Sequence, residues 1–184
     1  RVFRAVLATA HWLNKNTVKG SKKNIEAHYD LGNQLFETFL DPTLMYSSAL
    51  FADDTTNLHD ASIEKLDHIC RKLQLSSTDH VLEIGTGWGG FALHAAENYG
   101  CQVTTTTISE EQYEHAIHLI LERGLSDQIT VLKKDYRDLT GQYDKLVSIE
   151  MIEAVGHHFL DTYVNTLSQR LKPDGLALIQ AITI

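Results

Sequence analysis

The sequence predicts an α/β protein with a mostly parallel sheet and helices on both faces. Three observations lead there. From residue 80 onward, short apolar runs alternate with helical patterns, the mark of strand–helix–strand units. The first run leads into a glycine turn, Val81-Leu82-Glu83-Ile84-Gly85-Thr86-Gly87-Trp88-Gly89-Gly90. Four polar stretches then fall at the expected strand ends: Glu83 to Gly89, Thr107, Asp135-Tyr136 and Ser148 to Glu153. In parallel sheets those ends meet at the ligand site.

The elements follow in order. Residues 2–13 place Phe3, Val6, Leu7, Ala10 and Leu13 on one helical face and Arg1, Arg4, His11 and Lys15 on the other. Such a helix packs on protein, the usual fate of an apolar stripe, or lies on anionic lipid. Residues 14–24 read as a polar connector. Residues 25–40 form a second helix, with Ile25, Tyr29, Leu35, Phe36 and Phe39, ended by Asp41-Pro42. Residues 43–54 read as an irregular loop bearing Tyr46 and Phe51. Thr56 or Asn57 caps a helix over 58–74, with Leu66, Ile69 and Leu73 on one face.

The strand–helix alternation begins with strand 80–85 and helix 89–99. Strand 101–107 leads to helix 109–124, with Ser109 as N-cap, Glu110, Glu111 and Gln112 in the first turn, and Gly124 at the C-cap. Strands 129–133 and 144–149 follow, then helix 158–171. Lys172-Pro173-Asp174-Gly175 is the turn into a strand over 176–183. The domain reading is a basic helix and connector over 1–24, a helical lid over 25–75 and a ligand-binding core over 76–184.

Composition limits the function. With 184 residues, 43% hydrophobic and 22% charged, the chain matches an ordinary soluble domain with one substantial core. No run of about 18 apolar residues is present to cross a membrane. Two cysteines, Cys70 and Cys101, make neither a disulfide framework nor a metal spacing, and they suit a reducing cytoplasm. His157 and His158 lack a third spaced ligand, so no metal site is expected. The net charge is -8, but residues 1–25 hold six bases and no acid. An acidic body argues against general nucleic-acid binding, while the basic leader suits an anionic surface. The chain begins at Arg1 and ends at Ile184 in an apolar run, and so reads as a segment of a longer protein.

The glycine turn has the form E-x-G-x-G-x-G, not the G-x-G-x-x-G of a dinucleotide site. Glycines there let a ligand approach the backbone, with Glu83 inside the strand as an orienting acid. Class I S-adenosylmethionine-dependent methyltransferases open in this way. Further strings accompany it: His28-Tyr29-Asp30-Leu31-Gly32-Asn33, Phe39-Leu40-Asp41-Pro42-Thr43, Met45-Tyr46-Ser47, Thr107-Ile108-Ser109-Glu110-Glu111-Gln112, Val147-Ser148-Ile149-Glu150, Glu153-Ala154-Val155-Gly156-His157 and Leu171-Lys172-Pro173-Asp174-Gly175, of which those at His28 and Glu153 are much more selective than the glycine turn. With these, the chain resembles the cyclopropane-fatty-acyl-phospholipid synthase family, including the mycolic acid cyclopropane synthases, from about residue 25 onward.

The resemblance implies a Rossmann-like class I methyltransferase fold with an N-terminal helical lid. It implies S-adenosylmethionine as methyl donor, unsaturated phospholipid acyl chains as acceptor and bicarbonate as base. Gly85, Gly87 and Gly89 match the loop over the cofactor's amino-acid part, and Tyr46 and Ser47 match a lid pair that reaches the cofactor. Thr107 and Gln112 match contacts after the second strand, and Asp135 and Tyr136 flank the adenine. Glu153 matches the glutamate at the bicarbonate centre. Two departures fall in that centre: Ser48 stands where the family usually has cysteine, and Gln180 where it often has histidine. Both still donate hydrogen bonds to an oxyanion.

Cyclopropanation is therefore the expected reaction, in the cytoplasm and peripherally at the inner membrane surface. The alternatives are methylation to a branched or methylene chain, transfer to another acceptor, and a cofactor- or lipid-binding protein that has lost its base. The last two strands of the fold, much of the acyl pocket and the family's site tyrosine are expected beyond Ile184.

Overall fold

The computed structural model describes residue 36 and residues 38–183. The expected leader helix, the connector and most of the helix over 25–40 lie outside the described residues, as does the string His28 to Asn33. The described elements are α1 Leu58–Leu73, β1 His80–Ile84, α2 Gly90–Tyr99, β2 Gln102–Thr107, α3 Glu110–Glu122, β3 Ile129–Lys133, β4 Tyr143–Ile149, α4 Ile152–Val155, α5 Leu160–Arg170 and β5 Leu171–Gln180.

Local chemistry sets the helix ends. Asn57, rather than Thr56, caps α1: its side-chain oxygen accepts from the Asp60 N–H at 2.9 Å. Gln74 closes the same helix in a left-handed conformation, its N–H turned back to Arg71 and Cys70. Ser109 caps α3 through the Gln112 N–H, and Glu110 and Glu111 sit favourably at the positive end of that helix.

The five strands are all parallel, in the order β3-β2-β1-β4-β5. Strand alternation sends Val81 to one face and Leu82 to the other. Val81 joins Leu66, Ile69 and Leu73 of α1, Phe91 of α2 and Ile120 of α3. Leu82 joins Leu146 and, from α5, Tyr163 and Leu167. Helices thus cover both faces, and each buried Leu or Val contributes about 1.5–3 kcal/mol. Truncating the fully buried Leu82 to alanine costs about 2–5 kcal/mol.

The structure departs from the expected elements in the last third of the chain. The helix expected over 158–171 starts at Leu160, after a 3-10 turn at His157–Phe159. A short helix, α4, precedes it. The turn expected at 172–175 is absorbed into β5. Leu171 pairs with Tyr143 and Leu176 with Lys145, so residues 172–175 bulge opposite Asp144. Lys172 Nζ holds the Asp144 carboxylate there at 2.7 Å. The strand ends at Gln180, not at 183.

Candidate active site

The chain runs from β1 through β2 to β3 on one side, then returns to place β4 and β5 on the other. The reversal lies between β1 and β4, and their carboxyl ends open onto a cavity of about 640 Å³. Of the residues singled out in the sequence, Tyr46, Ser47, Glu83, Gly85, Gly87, Thr107, Gln112, Asp135, Tyr136 and Glu153 line it. Gly89, Ser48 and Gln180 do not.

The glycine turn forms one wall. The N–H groups of Gly85 and Thr86 both donate to the Thr106 carbonyl at 3.1 Å. Gly85 and Gly87 adopt φ of 101° and 53°, which costs glycine nothing and other residues about 1–2 kcal/mol. Nothing lies within 4 Å of where a Gly87 β-carbon would be, so the turn is bare at that point. Gly89 has a different task. Its β-carbon position is 3.4 Å from the Ala116 β-carbon, so it lets α2 approach α3.

Glu83 is 2% exposed and its Oε2 has no hydrogen-bond partner. Burial pushes its carboxyl up to about 8, against a hydrogen bond with Thr105 and the charge of Lys65. Lys65, on α1, is 5% exposed and donates from Nζ to Ser47 Oγ at 2.6 Å. Burial brings its ammonium down to about 8, despite the opposing charges of Glu150, Asp41 and Glu83.

Thr107 Oγ1 donates to Gln112 Oε1 at 2.8 Å and accepts from the Ser109 N–H. That pairing occupies the Gln112 carbonyl and leaves its amide NH2 as the donor. Asp135 lines the cavity, but its carboxylate is held by Arg137, by Nε at 2.7 Å and Nη2 at 2.6 Å. Tyr136 packs edge-on against Tyr163, 5.5 Å between ring centres.

The loop carrying Tyr46 and Ser47 is held from two sides. Asp41 is buried and accepts from Thr43, from Ser62 at 3.2 Å and from His59 at 2.9 Å. Burial raises the Asp41 pKa, but the bonds from His59, Thr43 and Ser62 outweigh it and hold the carboxyl below its ordinary value. On the other side, the loop rests on Gly90. A β-carbon there would lie 2.7 Å from both Met45 Sδ and the Thr43 carbonyl. Phe36 packs on Trp88 and on the half-exposed Tyr46, with centroids 4.5 and 5.4 Å apart.

The three residues expected at the catalytic centre do not form one group. Gln180 Nε2 reaches Ser48 Oγ at 3.0 Å, but Glu153 instead accepts from the Ile182 N–H. The carboxylate between Ser48 and Gln180 belongs to Glu150. Its Oε1 accepts from the Ser48 N–H at 3.0 Å, Ser48 Oγ at 2.9 Å and Gln180 Nε2 at 2.8 Å. Glu150 has φ of 47°, a left-handed conformation costing about 1–2 kcal/mol. Sequence reasoning placed Glu150 only within the stretch Ser148 to Glu153, with no role of its own, and singled out none of Lys65, Asp41 and Gly90 for the site. One signal for Lys65 was present: it lies four residues from both Ala61 and Ile69, on the buried stripe of α1.

Among the described residues no group of three or more His, Cys, Asp or Glu side chains is placed to hold a metal. No helix among them is long and apolar enough to cross a membrane.

A family model described as mycolic acid cyclopropane synthetase matches residues 16–184. The chain belongs to that family. It is 46% identical over 155 residues to the cyclopropane-fatty-acyl-phospholipid synthase of Escherichia coli (strain K12), covering 84% of this chain and 39% of that one. It is 40% identical over 171 residues to the tuberculostearic acid methyltransferase UfaA1 of Mycobacterium tuberculosis (strain H37Rv), covering 89% and 40%. Among solved structures, mycolic acid cyclopropane synthase CmaA1 complexed with SAH and CTAB matches with a TM-score of 0.82 and 34% identity, over 86% of this chain and 55% of that one. The fold is that of the class I methyltransferases. The chain spans about two fifths of the length of these two curated relatives.

Proposed function

We propose that this chain provides the lid (25–75) and cofactor-binding core (76–184) of an S-adenosylmethionine-dependent transferase. Its acceptor is the double bond of unsaturated phospholipid acyl chains and its product a cyclopropane chain. The observation that carries the reading is the unpaired Glu83 Oε2 at the wall of a cavity set on the β1–β4 reversal. A buried carboxyl oxygen without a hydrogen-bond partner is costly, and the cofactor's ammonium group would satisfy it as Glu83 ionises. Family membership and the bare turn at Gly87 fit the same ligand.

When bound, the cofactor supplies an electrophilic methyl on a sulfonium. Gly85 and Gly87 would let its amino-acid part lie against the turn, and Thr107 would hold Gln112 with its NH2 ready to donate. Tyr136 would offer an aromatic edge to the base. The Asp135 carboxylate, engaged by Arg137, shapes that wall. Tyr46 and Ser47 would close the cavity from the lid, with Lys65 holding Ser47 in place. An alkene is a weak nucleophile, so alignment and exclusion of water are the main tasks of these residues. A bicarbonate base, which the resemblance implies, would have to share the donors of Ser48 and Gln180 with the Glu150 carboxylate.

Methylation to a branched or methylene chain is the second reading. It is favoured by the 40% identity to a tuberculostearic acid methyltransferase and by Ser48 and Gln180 at positions where the resemblance leads one to expect cysteine and histidine. The complete protein, expressed in a host without cyclopropane lipids, tests both through fatty-acid mass spectrometry. Gain of one CH2 with loss of the double bond supports cyclopropanation. Retained unsaturation supports methylation, and unchanged lipids contradict both. A lipid acceptor also implies peripheral contact with the inner membrane surface through the bases of residues 1–25. Replacing Arg1, Arg4 and Lys15 with glutamine is expected to weaken co-sedimentation with anionic liposomes; unchanged binding dismisses that contact.

A further inference from the structure

We propose that Glu150 is a catalytic carboxylate, filling the position of the expected bicarbonate and accepting the proton that the reaction releases. The proposal rests on the lipid-modifying reading above. Its first support is a single carboxylate oxygen. Glu150 Oε1 accepts from the Ser48 N–H, Ser48 Oγ and Gln180 Nε2, all within 3.0 Å. Ser48 and Gln180 are the residues expected to hold bicarbonate. Their donors are committed to an anion the chain itself carries, and a second anion among them would meet like charge at contact distance. Bicarbonate does not fit this arrangement.

The second support is the backbone. Glu150 stands in left-handed space, with φ of 47°, and its N–H donates to the Gln180 carbonyl at 2.9 Å. Strand β5 therefore grips both the main chain and the side chain of Glu150. A non-glycine residue held in such a conformation at a cavity wall is a mark of a working position. The three bonds are all to Oε1, and Oε2 lies outside them. Lys65 faces Glu150 with opposite charge from α1, while Glu83, Glu153 and the Arg137-bound Asp135 are the other carboxylates lining the cavity.

The step balances without a further reagent. The alkene pair bonds to the methyl carbon, and the carbon–sulfur pair leaves with sulfur. Glu150 Oε2 then takes a proton from the transferred carbon. The released C–H pair closes the ring onto the electron-deficient acyl carbon, and the proton passes from Glu150 to solvent. For a methylene product the same proton goes to the same oxygen, after a hydride shift along the chain.

The test uses the complete protein in carbon-dioxide-depleted buffer, with and without added bicarbonate. Turnover by the wild type is expected to agree within about twofold in the two buffers, and 13C NMR with labelled bicarbonate is expected to show no binding. Glu150→Gly frees the left-handed position from strain and is the variant chosen to fold. It is expected to keep nucleoside uptake by calorimetry, to lose about 100-fold or more in turnover, and to bind bicarbonate with partial rescue. Glu150→Gln keeps the shape without the base and is expected to lose turnover without rescue. Bicarbonate dependence or binding in the wild type overturns the proposal alone. So does full turnover by both variants with nucleoside bound. A wild type that takes up no nucleoside overturns the functional reading, and this proposal with it.

Discussion

Glu83 and Lys65 make the unliganded site sensitive to pH. The folded-state pKa of Glu83 is raised from 4.5 to about 8. Its contribution to stability is fully present below pH 4.5 and is lost as pH rises through about 8, each unit of difference being worth about 1.4 kcal/mol. Lys65 is depressed from 10.5 to about 8, so its penalty is relieved as pH rises from about 8 to 10.5. The pair therefore predicts the weakest unliganded fold near pH 8. Thermal melts from pH 5 to 9 are expected to fall towards that value, and Glu83→Gln is expected to flatten the lower limb. A melting temperature that climbs from pH 5 to 8 would refute this. Glu83 was legible in the sequence because a carboxylate within a glycine-turn strand is anomalous. Glu150 was not, because nothing in the spacing of Glu150 and Glu153 says which one turns towards Ser48. That depends on a left-handed residue at the end of β4 and on the register of β5, both tertiary facts.

At the scale of elements, the loop over residues 41–48 has little regular structure and depends on its two anchors. Asp41→Ala removes the acceptor for Thr43, Ser62 and His59 and is expected to cost about 1–3 kcal/mol in chemical denaturation. Gly90→Ala drives a β-carbon into the Thr43 carbonyl. Backbone cannot yield cheaply there, so a loss of about 1–3 kcal/mol is expected, with weaker nucleoside uptake as Tyr46 and Ser47 move. Uptake equal to the wild type would show that the loop does not touch the ligand. The caps at Asn57 and Ser109 and the strands from 80 to 149 could be read locally, because capping and apolar alternation are local signals. Residues 172–175 misled the reading. The string Lys-Pro-Asp-Gly is turn chemistry anywhere, and only pairing of Leu171 with Tyr143 and Leu176 with Lys145 makes it a bulge inside a strand.

For the whole molecule, strand order decides where the chemistry sits. Alternating strands and helices announced a parallel sheet, but the β3-β2-β1-β4-β5 order that gathers four loops at one cavity emerges only from the assembled fold. Among the described residues β5 is one of the two edge strands, with Leu176 and Ile179 about two fifths exposed. Apolar edges pair with other chains, so residues 1–184 alone are expected to self-associate at micromolar concentration in sedimentation velocity. Ile179→Lys is expected to reduce that; a strictly monomeric parent would contradict it. The proposed binding of S-adenosylmethionine against Glu83, in the cavity at the β1–β4 reversal, is open to isothermal titration of the complete protein with this nucleoside. Saturable one-to-one uptake is expected, with net proton release at pH 7 as Glu83 ionises against the incoming ammonium, and loss of that release in Glu83→Gln. No uptake by the wild type, or uptake unchanged in both heat and proton release by Glu83→Gln, would contradict it.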